Sequence, residues 1–427
     1  MRYIIATLGC KVNQYESEAM EQLLRTRGHR RCAEGESAEA LIVNTCAVTA
    51  EGERKVRQTV RRLRREHPEA LLALTGCFSQ VDEESAEALG ADVIFGTGHR
   101  REFIEAVEGA VRERTAVRSL DDPFRRERFE ELPAGAYEGH ARAYLKIEDG
   151  CDNFCSYCII PYARGRVLSL PEERCAAAAA ELAEKGYREI VVTGIEISSW
   201  GKDLKNGRTL IDALEAMAAA APGARLHLGS LEPTVVTDEF VARLRGIHVC
   251  PHFHLSLQSG CDETLQRMRR KYDTAAFFAV TERVRAAFPE CAITTDLICG
   301  FPGESEEEFA ATLAFIEKCG FSAMHIFPYS VRPGTKAAAM AGQVPKAVKD
   351  ERCRRAQAVS ERMRSAYLRA CVGRELDVLF ETESGGICRG HAENYAEVAA
   401  EGRGLRGLVR KTKITAVDGQ MLVGCVL

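Results

Sequence analysis

The chain has 427 residues, of which 46% are hydrophobic and 28% charged, and its formal net charge is −4. This composition is ordinary for a globular protein of several domains. It excludes a strongly basic nucleic-acid-binding protein, so any RNA contact must use local basic surfaces. No apolar run approaches the roughly 20 residues that span a bilayer, and the first residues lack a signal-peptide pattern. We therefore expect a cytoplasmic protein with no membrane contact.

Residues 1–113 alternate apolar strand-like runs with helical segments, which predicts an α/β domain with a parallel sheet. The following residues, 114–139, are polar and aperiodic, which predicts a linker. The predicted strands of the N-terminal domain are 2–8, 40–46, 70–77 and 92–96.

A second alternation, over residues 140–345, predicts a partial β/α barrel, in which chemistry is expected at the C-terminal ends of the strands. Residues 346–370 are predicted to form a basic helix. The short strands and turns of 371–427 predict a small β-barrel of the size of an OB fold. The predicted strands of the β/α barrel are 143–150, 189–194, 225–230, 252–257, 292–300 and 323–330.

Seventeen cysteines, an odd number, are too few for a disulfide scaffold of this length, so most are expected to be buried thiols. Cys10, Cys46 and Cys77 form a first candidate set because each lies at the end of a predicted strand. The C-terminal ends of parallel strands share one edge, where these thiols should converge. Three thiolates leave one position open on a four-iron cluster or on zinc, and three structural cysteines are the alternative.

Cys151, Cys155 and Cys158 form a second set, with the spacing C-x3-C-x2-C directly after the first barrel strand. A zinc knuckle would require a fourth Cys or His at short spacing, and none of the next fifteen residues qualifies. Three ligands on one short loop instead suit an iron–sulfur cluster whose fourth iron binds a substrate or cofactor.

This second motif, in its place after a barrel strand, resembles the radical S-adenosylmethionine superfamily. The whole chain resembles the methylthiotransferases of that superfamily, and its C-terminal segment resembles a TRAM domain, an RNA-binding β-barrel. The motifs that carry the resemblance are "TLGCKVNQYESE", "VNTCAVT", "TGCFSQ", "GCDNFCSYCIIPYARGR", "LQSGCDETLQRMRRKY" and "DLICGFPGES".

The resemblance implies two 4Fe-4S clusters, one on each cysteine set, and S-adenosyl-L-methionine as cofactor. The six cysteines are then both metal ligands and catalytic residues. The cluster of the second set would cleave S-adenosylmethionine to a 5′-deoxyadenosyl radical, and the auxiliary cluster of the first set would hold the sulfur to be transferred. Both clusters must then face one cavity, with the N-terminal sheet edge docked over the barrel mouth. An electron donor such as flavodoxin or ferredoxin and a sulfur source are further implied partners.

Three more residues are candidate cofactor contacts. Thr193 and Gly194 end the second barrel strand, where radical enzymes bring the backbone close to the methionine amine. Arg270 is a candidate for the cofactor carboxylate because arginine binds carboxylates in a bidentate manner. A solvated helix arginine is the alternative for Arg270.

The resemblance also implies a tRNA substrate modified at position 37 of the anticodon loop. The helix predicted at 53–66 has seven basic and two acidic residues, which suits phosphate contacts, whereas residues 371–427 have seven basic and eight acidic residues. "TLGCKVN" and "GCDNFCSYC" resemble the branch that acts on threonylcarbamoyladenosine. Isopentenyladenosine, a ribosomal-protein aspartate, and a non-enzymatic iron–sulfur sensor that binds RNA remain alternatives.

Overall fold

The computed structural model describes residues 1–133 and 141–427. It contains a parallel N-terminal sheet, a partial β/α barrel and a closed five-stranded C-terminal barrel, which confirms the predicted fold class. Across the described ranges, helices of the length and apolarity needed to cross a membrane are absent.

The N-terminal domain is built on a six-stranded sheet whose central strands are apolar and fully buried. Its strands are β1 (Arg2–Thr7), β2 (Arg30–Arg31), β3 (Ala40–Thr45), β4 (Leu71–Gly76), β5 (Val93–Phe95) and β6 (Val117–Ser119). All pairings are parallel, in the order β2-β1-β3-β4-β5-β6. The ends of β1, β3 and β4 that precede the first cysteine set therefore lie at one edge.

Helices cover both faces of this sheet. They are α1 (Lys11–Thr26), α2 (Ala50–Glu66), α3 (Cys77–Val81), α4 (Glu83–Glu87) and α5 (Arg100–Glu113). Apolar residues of α1 and α5 pack on one face, and those of α2, α3 and α4 pack on the other. The sheet is buried on both sides, as its nearly continuous apolar strands require.

The sheet extends further along the chain than the sequence predicted. Strand β6 lies inside the segment 114–139 that was interpreted as a linker, and it pairs with β5 from Val93↔Val117 to Phe95↔Ser119. Two of its three residues are exposed, so it lacks the apolar pattern that identifies a buried strand. The last seven residues predicted as linker or domain start, 134–140, lie outside the described residues.

The β/α barrel has six parallel strands, all of them at predicted positions. They are β7 (Ala143–Lys146), β10 (Glu189–Thr193), β11 (Arg225–Leu228), β12 (His252–His254), β13 (Ala292–Cys299) and β14 (Ala323–Pro328). Two further short strands, β8 (Glu148–Asp149) and β9 (Leu168–Ser169), form a separate antiparallel pair. Parallel bridges at Leu226↔Val249 and Leu231↔Leu255 join the halves β7-β10-β11 and β12-β13-β14. Within the described ranges no pairing joins β14 to β7, so the barrel is open on that side.

Helices surround the barrel and pack against its outward apolar residues. They are α7 (Glu172–Glu184), α8 (Leu210–Ala220), α9 (Asp238–Leu244), α10 (Asp262–Arg267), α11 (Thr274–Ala287) and α12 (Glu306–Cys319), whereas the short α6 (Ile160–Arg164) packs on the N-terminal domain. A longer helix, α13 (Lys346–Cys371), contacts β14 and α12 and leads into the last domain.

The C-terminal domain is a closed barrel with the strand order β15-β16-β17-β19-β18. Its strands are β15 (Glu375–Ser384), β16 (Ile387–Ala392), β17 (Glu397–Glu401), β18 (Val409–Asp418) and β19 (Met421–Val426). Closure leaves no unpaired sheet edge in this domain, as expected for the small β-barrel that the short strands predicted.

Candidate active site

The first cysteine set lies at one edge of the N-terminal sheet. Cys46 directly follows β3, Cys77 begins α3 directly after β4, and Cys10 precedes α1. Gly76 has a φ of 105°, and a Cβ there would lie 2.5 Å from the carbonyl oxygen of Thr45. Glycine at this position therefore lets the turns that carry Cys46 and Cys77 pack closely.

The three thiols of the first set are close enough for the charge of one to affect another. Burial, followed by the charges of Cys77 and Cys10, raises the pKa of the Cys46 thiol to about 12. Thiols in such surroundings stay protonated unless a cation stabilises the thiolates. A bound metal group reverses this preference, so the donor set fits an iron–sulfur cluster or another thiophilic metal.

The second cysteine set lies on the loop between β8 and α6. Burial, followed by the charge of Cys155, raises the pKa of the Cys158 thiol to about 12, and burial likewise raises the pKa of Cys151. Nη1 of Arg270 donates a hydrogen bond to Sγ of Cys155 at 3.2 Å. Three clustered sulfur donors on one loop fit a four-iron cluster with one open iron.

The two cysteine sets face each other where the N-terminal domain docks on the barrel. Helix α3, which begins with Cys77, packs on α6, which follows Cys158. The charge of Cys77 also contributes to the raised pKa of Cys158. Oγ1 of Thr97 donates a hydrogen bond to the carbonyl of Ala163 at 2.6 Å, which ties the sheet edge to α6.

A buried network of charges, which the sequence did not predict, joins the same two domains. Glu16 accepts hydrogen bonds from Arg100 Nη2 at 2.8 Å and from Arg164 Nη1 at 2.6 Å. Lys146 Nζ lies 3.2 Å from Glu16 and 2.9 Å from Asp149, and Arg164 lies 3.1 Å from Asp149. Burial opposes ionisation of Glu16, but the charges of the three cations outweigh it and hold the pKa of that carboxyl well below its usual range.

Arg164 also connects this network with the cysteine sets. It belongs to the "PYARGR" segment after the second set, and its Nη2 donates to Oδ1 of Asn13 at 3.0 Å. Burial raises the pKa of the Cys77 thiol, and the neighbouring Arg164 guanidinium opposes that shift. A buried cation therefore lies where negatively charged thiolates of the first set would need one.

A second contact fixes the loop after Cys46 to the end of the barrel. Nη1 of Arg332 donates to the carbonyl of Ala47 at 3.1 Å and to Oε1 of Glu53 at 2.5 Å. The backbone N–H of Ala50 donates to Oγ of Ser330 at 3.0 Å. The N-terminal domain is thus held at the barrel mouth from both sides of the cysteine sets.

Thr193 and Gly194 lie at the C-terminal end of β10, next to two buried carboxyl groups. A Cβ on Gly194 would lie 2.7 Å from Oε2 of Glu148, so this position accepts only glycine without a shift of the chain. Glu148 Oε2 accepts a hydrogen bond from the backbone N–H of Glu196 at 2.7 Å. Burial raises the pKa of both carboxyls, that of Glu148 well above its usual range.

Arg270 is buried and paired, not solvated as the alternative interpretation supposed. Its Nη2 lies 2.6 Å from Oε1 of Glu232, and its Nε donates to the hydroxyl of Tyr272 at 2.9 Å. The bidentate partner of this guanidinium is therefore a protein carboxylate. Both contacts with Glu232 use Nη2, so recognition of a cofactor carboxylate by Arg270 would use the second N–H of Nη1.

The basic helix predicted at 53–66 is part of α2, and its buried residues are Val56, Val60 and Leu63. Several of its arginines pair with carboxylates on the same helix or next to it, as in the 2.9 Å contact between Arg62 and Glu66. The remaining positive charge faces outward beside the loop of Cys46. In the C-terminal domain five of the seven basic residues lie between positions 403 and 413, all exposed or partly exposed, and they are Arg403, Arg406, Arg410, Lys411 and Lys413.

Two family models match the chain. One is described as the radical SAM superfamily and matches residues 145–316. The other is described as the uncharacterized protein family UPF0004 and matches residues 2–96. The matched segments are the barrel with the second cysteine set and the sheet domain with the first.

Similar proteins cover nearly the whole chain. The threonylcarbamoyladenosine tRNA methylthiotransferase MtaB of Bacillus subtilis (strain 168) is 37% identical over 418 residues, which are 96% of this chain and 92% of that protein. MtaB of Thermotoga maritima is 37% identical over 424 residues, 99% and 96% of the two chains. The tRNA-2-methylthio-N(6)-dimethylallyladenosine synthase of Mycobacterium ulcerans (strain Agy99) is 35% identical over 395 residues, 90% and 74% of the two chains.

Solved structures share the fold at low sequence identity. The radical S-adenosylmethionine methyltransferase TsrM from Kitasatospora setae, with tryptophan substrate and a SAM analog bound, superposes with a TM-score of 0.58 at 16% identity. The match covers 90% of this chain and 79% of that chain. Together with the full-length relatives, these findings show that the chain belongs to the methylthiotransferase family of radical S-adenosylmethionine enzymes.

Proposed function

We propose that the protein transfers a methylthio group to carbon 2 of N6-threonylcarbamoyladenosine at position 37 of tRNA, and that it uses two 4Fe-4S clusters. One observation carries the two-cluster proposal: helix α3, which begins with Cys77 of the first set, packs on helix α6, which follows Cys158 of the second set. Two three-cysteine sets with one open position each, facing one interface, suit a reaction that needs both a radical and a sulfur donor.

The six cysteines supply the ligands. Cys151, Cys155 and Cys158 would hold the cluster that binds S-adenosylmethionine, and the first set would hold the auxiliary cluster. When bound, the first of these groups supplies a 5′-deoxyadenosyl radical, which can abstract a hydrogen from an aromatic carbon that acid–base catalysis cannot activate.

The other residues of the site bind, orient and exclude water. Gly194 lets the end of β10 approach a ligand closely, and Thr193 beside it is 97% buried. Arg270 donates to Cys155, and its second Nη1–H remains for a carboxylate of the cofactor. The contacts of Arg332 and Thr97 hold the two domains together beside both sets.

The substrate assignment rests on the relatives and on the basic surface next to the site. Both MtaB relatives match at 37% identity over more than nine-tenths of their own length. Helix α2 presents arginines beside the Cys46 loop, where they can bind anticodon-stem phosphates, and the C-terminal barrel would bind a second part of the tRNA. A reduced flavodoxin or ferredoxin would supply electrons, and a sulfur source would replenish the auxiliary cluster.

Isopentenyladenosine is the second candidate substrate, because the Mycobacterium ulcerans relative, which is named for dimethylallyladenosine, is 35% identical to this chain. The experiment that separates the candidates is mass spectrometry of nucleosides from tRNA of cells that lack methylthio groups. The tRNA is incubated anaerobically with reconstituted enzyme, reductant and S-adenosylmethionine. A methylthio increment on threonylcarbamoyladenosine alone supports the proposal, and an increment on isopentenyladenosine overturns the substrate.

Cysteine variants test the division of labour between the two sets. Cys155→Ala is expected to abolish cofactor cleavage, because the radical cluster loses a ligand. Cys46→Ala is expected still to cleave S-adenosylmethionine but to form no methylthiolated product. Cys175→Ala, which removes a buried thiol on α7 outside both sets, is the matched control and should retain both activities. Methylthiolation by Cys46→Ala would contradict the auxiliary-cluster assignment.

A further inference from the structure

The interior of the β/α barrel is lined by polar side chains, while alternate residues of the same strands pack outward into the apolar core. His227 Nε2 lies 2.7 Å from His252 Nδ1, and His252 Nε2 lies 2.9 Å from Oγ1 of Thr294. His254 Nδ1 lies 3.0 Å from the same hydroxyl. His325 on β14 is exposed, so solvent reaches this interior. A barrel core that is only packed would be filled by apolar side chains, so these polar side chains indicate a binding cavity.

Tyr395, from the turn between β16 and β17, closes one end of this cavity. Its ring stacks on His252 and on His391, with centroids 4.9 Å apart in both pairs. The ring nevertheless remains 38% exposed. The ring also borders a separate cavity of about 360 Å³, whose lining includes Arg142, Tyr144 and His391 but neither Lys11 nor the histidines of the β/α barrel. The C-terminal domain therefore supplies a flat aromatic floor to the barrel.

Lys11 reaches into the cavity from the N-terminal domain. It directly follows Cys10, and its Nζ lies 5.9 Å from the centroid of the Tyr395 ring. Its charge affects His227, His252 and His325, which places the ammonium group among the lining histidines. Within residues 1–133 and 141–427 this ammonium has neither a hydrogen-bond acceptor nor an ion-pair partner.

The carboxylates nearest to this group are already paired. Glu189 binds Arg225 at 2.7 Å and His227 at 3.0 Å, and Arg142 lies 3.5 Å from it. Glu381 binds Arg142 at 2.6 Å and also contacts His391. Asp296, on the opposite wall, lies 3.3 Å from His254 Nε2. Lys11 is therefore the cation of this group that lacks a direct ion-pair partner among the described residues, and a partly buried cation without such a partner favours an anionic ligand.

We propose that Lys11 binds the carboxylate of the threonyl group on N6 of the substrate adenosine, and thereby selects substrates with an acidic N6 substituent; this inference rests on the proposed function. Carbon 2 must approach the sulfur held by Cys10, Cys46 and Cys77. The N6 substituent lies across ring atom N1 from carbon 2. A lysine adjacent to Cys10 therefore lies on the side of the base from which the substituent extends.

The chemistry of the cavity discriminates between the two candidate nucleosides. A carboxylate forms a charge-assisted hydrogen bond with the partly buried Lys11 ammonium and gives it the ion-pair partner that it lacks. An uncharged alkyl substituent leaves that ammonium desolvated and unpaired, a mismatch of the kind that gives polar sites strong discrimination. From the usual strength of hydrogen bonds to charged groups, we expect a preference of about 10-fold to 100-fold for the acidic substituent.

The test measures binding of synthetic anticodon stem-loop RNAs to the full-length protein with both clusters reconstituted. One RNA carries threonylcarbamoyladenosine, and the other carries its methyl ester, which removes only the negative charge. Fluorescence anisotropy under anaerobic conditions gives both affinities. The wild type should prefer the acid at least 10-fold over the ester, Lys11→Gln should bind both equally, and Lys11→Arg should keep a preference.

Lys55→Gln is the matched control, because Lys55 is an exposed lysine on α2. Loss of a phosphate contact should weaken both RNAs by the same factor and leave the preference unchanged. An equal affinity of the wild type for acid and ester, or an undiminished preference in Lys11→Gln, overturns the carboxylate site.

The methylthiolation assay on the same two RNAs distinguishes this inference from the proposed function. If the wild type modifies threonylcarbamoyladenosine while Lys11→Gln still discriminates, the carboxylate site is wrong and the function stands. If the wild type binds the acid in a Lys11-dependent manner but leaves it unmodified, the site is supported and the proposed reaction is wrong.

Discussion

Replacing Glu16 by Gln removes a buried negative charge that three cations share, without changing the shape of the side chain. Glu16 lies 2.8 Å from Arg100, 2.6 Å from Arg164 and 3.2 Å from Lys146. The first of these cations belongs to the N-terminal domain and the other two to the barrel. After the substitution, Asp149 is the remaining carboxylate of the network. Three buried cations then lack adequate compensation.

The expected magnitude follows from that geometry. Removal of one partner from a buried ion pair costs about 3–5 kcal/mol, because an uncompensated charge stays behind. With a urea dependence of about 3 kcal/mol per molar, this loss lowers the unfolding midpoint by about 1–1.7 M. The exposed pair between Arg30 and Glu36 provides a matched control, since Glu36→Gln should cost less than about 1 kcal/mol.

Trp200, the single tryptophan of the chain, makes the assay specific. It is buried in the barrel domain, whereas Glu16 belongs to α1 of the N-terminal domain. A change in the urea midpoint of Trp200 fluorescence therefore reports how much docking of one domain stabilises the other. If Glu16→Gln shifts this midpoint no more than Glu36→Gln does, the network does not hold the two domains together.

Three further perturbations test other parts of the site. Gly194→Ala should destabilise the protein by about 1–3 kcal/mol and weaken S-adenosylmethionine binding in equilibrium dialysis. Gly109→Ala is the control: its new Cβ has nothing within 4 Å, so it should stabilise the protein by about 0.4–1 kcal/mol. Burial raises the pKa of Glu148 well above its usual range, so the folded state holds a proton that the unfolded state has lost above about pH 4.3. The unfolding free energy should therefore fall as the pH rises through the range between the unfolded-state and folded-state pKa values of Glu148. Glu148→Gln should remove this pH dependence in urea titrations between about pH 5 and about pH 8. An equal pH dependence in the wild type and the variant would contradict this. Arg270→Met removes the hydrogen-bond donor to Cys155 and should lower the reduction potential of the cluster held there by about 60 mV. Redox titrations followed by electron paramagnetic resonance measure this potential. An unchanged potential would show that the contact does not tune the cluster.

The strands that carry the site were predictable because they are short apolar runs with polar ends. The runs at 40–46 and 70–77 became β3 and β4, and their C-terminal ends placed Cys46 and Cys77 at one edge. Strand β6 escaped prediction because three mostly exposed residues show no apolar alternation. Pattern analysis detects burial within a domain, so an edge strand with a polar surface gives it no signal.

The partners of the site residues were not predictable in the same way. Glu16 looks like a solvent-facing residue of an amphipathic helix, yet it is fully buried because a second domain covers that side of α1. Arg270 is a candidate from the sequence, but its pairing with Glu232 depends on a contact between the loop that joins α10 to α11 and the loop after β11. Lys11 was noted only as part of a motif. Its position in the barrel interior follows from docking, which leaves no periodic signal in the sequence.

The charge balance of the network around Glu16 links cofactor loading to domain assembly. Arg100, Arg164 and Lys146 exceed the two carboxylates of the network by one positive charge, and Arg164 also neighbours Cys77. If the first cysteine set holds a cluster, as proposed, its ionised cysteines would supply the missing negative charge from a position between the two domains. Insertion of the metal and closure of the interface would then reinforce each other. A chain depleted of iron is expected to expose this interface to proteases that the loaded protein resists.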